Sequence, residues 1–361
     1  MSKPTVSRIL FTCGREPGYA RNQVILRALH AHYSVTEVTD SQPGSLTARS
    51  LRVLVRLIPH LRRDDYDLVF VGFYGYLLVP WVRRLTRCPI LFDAFVSNYD
   101  TLCFDRQRFR PHSPAGRLAF WLDQVACNSA DGVLLDTASH KAYFAETFRL
   151  PADRLHHLYV GCNENLFFLQ PMVRSDGKFR ILYYSSYLPL HGVEHIVSAA
   201  GLLKSREPLH FRLIGEGMSY GRVRCIAQQL DTSNVEFVPP VPYDQLPGEI
   251  AAADLCLGGP FGDTPKARRI IPGKTFQFLA MARPVIATDT PGNRELLTHR
   301  ESAYIVPPAN AEALAAAIAL LHDDAALRKA VASGGYECYQ RQCSETVIRQ
   351  RLSGIVEEVA Q

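Results

Sequence analysis

Long hydrophobic runs are missing from this 361-residue chain. The longest, YGYLLVPWV at 74–82 and ALAAAIALL at 313–321, fall well short of the roughly 20 residues a membrane-spanning helix needs. The stretch MSKPTVSRILFTCG has no separate apolar core with a cleavage site, so no secretory signal is expected. Paired cysteines are missing too. The nine cysteines include no CxxC, and the closest couple is Cys338 and Cys343. That excludes a disulfide framework or a zinc site of usual spacing and points to free thiols in a reducing compartment. No cluster of His, Cys or acidic residues has metal-site spacing, so no metal is expected. The dinucleotide fingerprint GxGxxG is absent, which argues against nicotinamide dehydrogenase chemistry, and there is no Walker loop, GxSxG elbow or zincin motif. No basic tract interleaves with stacking aromatics, so nucleic acid is not an expected partner.

What is present suits a globular protein with two well-filled cores. Hydrophobic residues make up 47% and charged ones 21%, ordinary values for a chain long enough to form two domains. The charge is unevenly placed. Residues 1–170 hold 20 Lys and Arg against 15 Asp and Glu, and the remainder is balanced. The basic cluster RSLRVLVRLIPHLRR (49–63) has helical spacing, with Arg52 and Arg56 on one face and Leu51, Leu54, Val55 and Ile58 on another. WVRRLTR (81–87) adds Trp81, Arg83, Arg84 and Arg87. Such segments either form a solvated basic surface or rest on an anionic membrane.

Short apolar runs alternate with helical patterns along the whole chain, the mark of α/β units with parallel sheets. In the first half, strands are expected at 8–13, 67–73, 89–95, 132–137 and 155–160, and helices at 21–33, 115–130 and 139–148. A polar stretch at 163–177 reads as a linker. The second half restarts with strands at 179–186, 209–215, 235–241, 253–258, 284–288 and 303–308. Its helices are expected at 192–205, 220–230 and 274–281, with a last one in 344–361. Two such domains would enclose a cleft, the usual place for a small-molecule site.

The most informative segment is FGDTPKARRIIPGKTFQFLAMARPVIATD (261–289). Lys266, Arg268, Arg269 and Lys274 fall within nine positions just before or at a helix start. Helix N-termini present free N–H groups and favour anions. Lys274 in the first turn is at the unfavourable end of the helix dipole, which suggests a bound anion such as a diphosphate. Lys266 and Arg269 are further phosphate candidates, and Arg268 reads as loop surface. Gly215 and Gly217 end a strand and would let a nucleotide approach the backbone. In the first half, Gly14 and Gly18 make a pliable loop after the first strand, and Arg15 and Arg21 are placed to reach a phosphate or another acidic group of a ligand.

The segment resembles the donor-binding signature of retaining glycosyltransferases of family 4. That pattern is an acidic residue, seven others, then Glu in a helix leading to a small-Pro-Val-Ile strand. Gln277 stands where the Glu belongs and Arg269 where the first acid belongs. A subgroup carries a similar FGD-T-x-K-x-x-x-x-IP-x-K run, with Asp263 as the carboxylate. The resemblance extends through YYSSYLPLHGVEHIVSAAGLL (183–203), FRLIGEG (211–217) and NVEFVPPVPYDQLPGEIAAADLCLG (234–258).

It implies a GT-B fold: α/β, two Rossmann-like parallel-sheet domains facing a central cleft. An acceptor domain would span 1–168 and a donor domain 169–343, with a helix at 344–361 crossing back to the first. It also implies that Gln277 meets the donor ribose and Asp263 the transferred sugar. Ser185, Ser186 and His191 stand in for the family's diphosphate-binding Arg and Lys. The family's His after the fourth strand is missing, and Asp93 is the candidate in its place, an N-cap or an internal pair with a nearby Arg being the alternatives. The implied reaction moves a sugar, from a UDP- or GDP-sugar, to a hydroxyl of a sugar, glycolipid or lipid-linked acceptor. The nucleotide sugar is a substrate, with no cofactor and no metal. The natural setting is cell-envelope polysaccharide, glycolipid or glycoconjugate synthesis, at a cytoplasmic location and peripherally at the inner membrane face. The departures from the pattern keep two alternatives open, a sugar-nucleotide-binding protein without transfer activity and a GT-B sugar-nucleotide epimerase.

Overall fold

The computed structural model describes residues 6–63, 65–171 and 177–361. Residues 172–176 of the expected linker, and the first five of the stretch read for a secretory signal, lie outside the described residues. The chain forms two compact units, residues 1–163 with 345–361, and residues 164–344.

The first unit holds a six-stranded, wholly parallel sheet. Its strands are β1 (Arg8–Cys13), β2 (Ser34–Val38), β3 (Leu68–Gly72), β4 (Ile90–Asp93), β5 (Gly132–Leu135) and β6 (Leu155–His157), in the order β2-β1-β3-β4-β5-β6. β3, β4 and β5 are buried throughout, as expected of strands covered on both faces by helices. β2, SVTEV, was not expected. It is an edge strand with a single buried residue, so its sequence lacks the apolar run that marks the inner strands. The helix Glu345–Val359 belongs to this unit. Its Ile348, Leu352 and Val356 are buried, Tyr33 and Ser353 share a hydroxyl hydrogen bond of 2.8 Å, and Arg27 pairs with Glu345.

Helix Leu46–Leu61 turns Val53, Leu57 and Leu61 into the core and leaves Leu51 and Val55 64% and 60% exposed. The i, i+4 row that packs, Val53, Leu57 and Leu61, is distinct from both the Arg52–Arg56 row and the Leu51–Val55 row.

The second unit repeats the plan with β7 (Phe179–Ser185), β8 (Leu209–Gly215), β9 (Val235–Val238), β10 (Leu255–Gly259), β11 (Val285–Thr288) and β12 (Tyr304–Val306), in the order β12-β11-β10-β7-β8-β9. All pairings are parallel. From β7 the chain adds β8 and β9 on one side, then returns to add β10, β11 and β12 on the other. The two neighbouring loops at β7 and β10 thus diverge, which opens a crevice at the strand carboxyl ends. In the first unit the same reversal falls between β1 and β3.

Candidate functional site

The crevice of the second unit is built by two turns far apart in sequence. The turn after β7 contains Pro189–His191, and the turn after β10 contains Phe261 and Gly262. Phe261 N–H donates to His191 O at 3.2 Å, and Gly262 N–H to Leu190 O at 3.1 Å. The close approach depends on glycine. Gly192 has φ of 58°, and a Cβ there would lie 2.2 Å from Gly262 N. A Cβ on Gly262 would lie 2.6 Å from Pro189 O.

Lys274 sits in the first turn of helix Gly273–Ala280, which follows β10. Only 7% of the residue is exposed, and among the described residues Nζ has no hydrogen-bond partner. The ammonium lies over the Tyr183 ring of β7, 4.2 Å from its centroid. Burial pushes its pKa from 10.5 down to about 7. A buried cation without an acceptor is costly. An oxyanion entering this crevice would supply the missing acceptor and restore full protonation.

His191 is beside it in charge if not in sequence. Its Nδ1 accepts the Leu188 N–H at 3.2 Å, so the neutral ring carries its proton on Nε2. Burial, then the charges of Lys274 and Lys266, hold its pKa well below the usual range. His191 is thus a neutral donor, not the cation that a Lys would be. Lys266 is 7% exposed, and Arg269 lies in the same turn, with its N–H bonded to Lys266 O at 3.0 Å.

Gln277 is buried on the face of the same helix and both ends of its amide are engaged. Tyr184 donates to Oε1, and Nε2 donates to the Tyr243 hydroxyl at 3.0 Å. Tyr183, Tyr184 and Tyr243 were not singled out from the sequence. The available signal was the adjacent tyrosine pair at the carboxyl end of a strand, where alternation sends one ring to each face. Asp263 is exposed and held by Arg268 through two hydrogen bonds of 2.8 and 3.0 Å. Arg268, read as plain loop surface, is therefore the residue that occupies the Asp263 carboxylate.

Ser185 Oγ accepts the Tyr187 N–H at 3.1 Å, and Ser186 is exposed. Gly215 and Gly217 have positive φ of 121° and 149°. A Cβ at either would come within 2.0 and 1.9 Å of the Ser185 and Ser186 carbonyl oxygens, respectively. These glycines let the loops after β7 and β8 pack on each other.

The first unit corrects two expectations. Arg21 and Asp93 are both fully buried and face each other, with Nη2 3.0 Å from Oδ1. Arg21 also donates to the carbonyls of Leu158 at 2.9 Å and Tyr159 at 3.1 Å. Burial outweighs the Arg21 charge and raises the Asp93 carboxyl above its usual range. Neither is open to a phosphate or an acceptor, so both leave the candidate site; the pairing alternative holds for Asp93. Gly14 and Arg15 remain at the β1–β3 reversal, each donating its N–H to Phe73 O, at 3.2 and 3.0 Å. The Arg15 guanidinium pairs with Glu16 at 3.2 Å and stands near the Tyr19 and Tyr74 rings. Gly18 is exposed, with open space where a Cβ would go.

The crevice thus combines a sheet reversal, a helix start and a buried lysine whose ammonium has no hydrogen-bond partner among the described residues, features that favour an anionic ligand. Residues 178–324 match the family model described as Glycosyl transferases group 1. Among curated proteins, the chain is 22% identical over 303 residues to the alpha-D-kanosaminyltransferase of Streptomyces kanamyceticus, covering 80% of this chain and 74% of the relative. It is 31% identical over 146 residues to the putative colanic acid biosynthesis glycosyl transferase WcaI of Escherichia coli K12, covering 40% of this chain and 35% of that protein. Among solved structures, Alr3699/HepE of Anabaena in complex with UDP-glucose matches with a TM-score of 0.72 at 16% identity, covering 96% of this chain and 98% of that one. That likeness establishes the fold, two six-stranded parallel sheets with helices as in GT-B glycosyltransferases.

Proposed function

We propose that this protein is a retaining glycosyltransferase that takes a sugar from a nucleotide-diphosphate donor held by the second unit. The observation that carries the reading is Lys274, buried at a helix start with no hydrogen-bond acceptor for its ammonium among the described residues. The donor diphosphate supplies that acceptor. As the bond between sugar C1 and the β-phosphate oxygen breaks, negative charge grows on the leaving diphosphate. Lys274, Lys266 and helix N-terminal amides stabilise it, the kind of electrostatic contribution that is often the largest in catalysis. The acceptor hydroxyl oxygen bonds to C1 on the face the diphosphate leaves, and its proton passes to the departing phosphate oxygen. The scheme needs no protein nucleophile, no metal and no cofactor. His191 Nε2–H is a neutral donor for the same phosphates. UDP-sugars are the first donors to try, because the Anabaena neighbour was solved with UDP-glucose, and GDP-sugars are the second. The relative named for colanic acid biosynthesis supports an acceptor in polysaccharide or glycolipid assembly.

The engaged amide of Gln277 favours one other reading, a sugar-nucleotide-binding protein that does not transfer. Thermal-shift measurements with UDP, GDP, ADP, TDP and their sugar conjugates test the binding half. A nucleotide at 100 times its Kd raises apparent stability by about 2.7 kcal/mol. No shift with any of them rejects a nucleotide-sugar site. Binding without hydrolysis or transfer, followed by chromatography of the donor, selects the second reading.

A further inference from the structure

The turns after β1, β3 and β4 bring aromatic rings together at the carboxyl edge of the first sheet. Phe73 is buried at the centre. The rings of Tyr19, Tyr74 and Phe95 surround it, with centroids 4.8, 4.6 and 4.9 Å from its own. Tyr19, Tyr74 and Phe95 are half-buried, so each keeps part of its surface open to solvent. The strand order reverses at this edge, between β1 and β3, where an open α/β sheet leaves room for a ligand.

Tyr74 and Phe95 are carried by backbone that ordinarily suits glycine, with φ of 62° and 51°. The left-handed region is costly for a bulky residue. Residues held there gather at functional sites, where their surroundings over-determine them. Three groups do the holding here. A Cβ on Gly14 would lie 2.0 Å from Tyr74 O, so glycine is what lets the β1 turn lie against Tyr74. The Tyr76 hydroxyl donates toward the carbonyls on either side of Phe95, Ala94 O at 3.1 Å and Val96 O at 2.9 Å. Buried Asp123 then accepts from Ser97 Oγ at 2.7 Å, Asn98 Nδ2 at 2.8 Å and Tyr99 N–H at 2.9 Å. Core packing alone does not require large side chains in this conformation.

Cations stand beside the rings. The Arg15 guanidinium is 5.6 Å from the Tyr19 centroid and 5.9 Å from that of Tyr74. Its Nε is buried and makes no hydrogen bond among the described residues, although Glu16 is 3.2 Å away. Glu16 is also shared with Arg49, at 2.8 Å. Burial raises the pKa of the Tyr74 hydroxyl, opposed by the charges of Arg106 and then Arg15, so both guanidinium groups lie near that hydroxyl. Arg106 is exposed, and its side chain has no hydrogen bond or ion pair among the described residues.

We propose that this edge binds a saccharide bearing an acidic group, a carboxylate or a phosphate, and so restricts the acceptor of the transfer to acidic sugars. The Tyr74 and Phe95 rings meet the C–H face of a sugar ring, and Arg106, Arg15 and the Tyr74 hydroxyl meet its acid. That the ligand is a saccharide rests on the transferase reading.

The full chain, without nucleotide, is applied to immobilised oligosaccharides in three sets, uronate-bearing, phosphate-bearing and neutral. The expected result is binding to an acidic set at least about tenfold tighter than to the neutral one, and the set that binds identifies the acid. Arg106→Gln should weaken that binding about tenfold with the melting temperature unchanged. Tyr74→Gly removes the ring and the left-handed cost together. It should keep the circular dichroism spectrum and bind at least about tenfold more weakly; should it unfold, Arg106→Gln decides alone. Binding to no set, equal binding to neutral sugars, or binding indifferent to these substitutions overturns the inference. Thermal shifts with UDP and GDP are read on the same protein. A nucleotide shift without saccharide binding overturns this inference alone, whereas no nucleotide shift rejects the donor site whatever the saccharide result.

Discussion

Replacing Lys274 by methionine should make the folded protein more stable at pH 6 while abolishing its response to nucleotides. Methionine keeps most of the unbranched stem that packs on Tyr183 and removes only the charge. Burial lowers the Lys274 pKa from 10.5 to about 7, a displacement worth roughly 5 kcal/mol. The Tyr183 ring face at 4.2 Å returns about 2 kcal/mol, leaving roughly 3 kcal/mol against the folded state. Between pH 7 and 10.5 the unfolded chain holds this proton and the folded chain does not. Stability from this group therefore rises with pH across that window, and the handicap is complete below about pH 7. Lys274→Met should raise the melting temperature of the second unit by about 5–10 °C at pH 6, with a difference that shrinks toward pH 10. In the wild type, nucleotide affinity should fall above pH 7 by up to about tenfold per pH unit, because the diphosphate binds the protonated amine. Scanning calorimetry from pH 6 to 10, with and without UDP and GDP, reads all of these. A variant less stable than wild type at pH 6, or one that keeps the nucleotide shift, would refute the argument.

Three further substitutions test other parts of the molecule. Arg21→Met leaves the Asp93 carboxylate buried alone and should cost about 3–5 kcal/mol in urea unfolding of the first unit. Gly192→Ala meets Gly262 N at 2.2 Å with φ at 58°; it should destabilise the second unit by about 1–3 kcal/mol or more and weaken nucleotide binding in a titration. Gln277→Glu keeps an acceptor for Tyr184 and adds a negative charge one helical turn from Lys274. It should move the pH midpoint of nucleotide binding upward by about one unit, measured as affinity against pH.

Much of the fold is legible in the residues. β1 runs over the residues its apolar run marks, because a strand buried on both faces needs continuous hydrophobic sequence; β8 was legible from its alternation instead, with His210 and Arg212 half-buried between buried Leu209, Phe211 and Leu213. β2 escaped because an edge strand has no such need. Helix Leu46–Leu61 could be found from its period, yet its packed row could not, since apolar residues occupy both rows and the sheet beneath selects one. Lys274 was legible as a cation at the wrong end of a helix, a conflict visible locally. Its isolation over Tyr183 was not, nor was the grip of Tyr184 and Tyr243 on Gln277. Arg21 and Asp93 looked like two loop-edge charges, and folding joined them into one buried pair.

By itself the amino-acid order determined the alternation of strands and helices, the glycine-bearing turns and the concentration of cations before residue 274, because burial period, backbone freedom and helix-end electrostatics act over a few neighbouring residues. Tertiary structure decided which charges neutralise one another and which stay without a partner. It also decided which apolar rows reach the core. Desolvation and Coulomb energies depend on distances through space, and those distances exist only after residues far apart in the chain have been packed together.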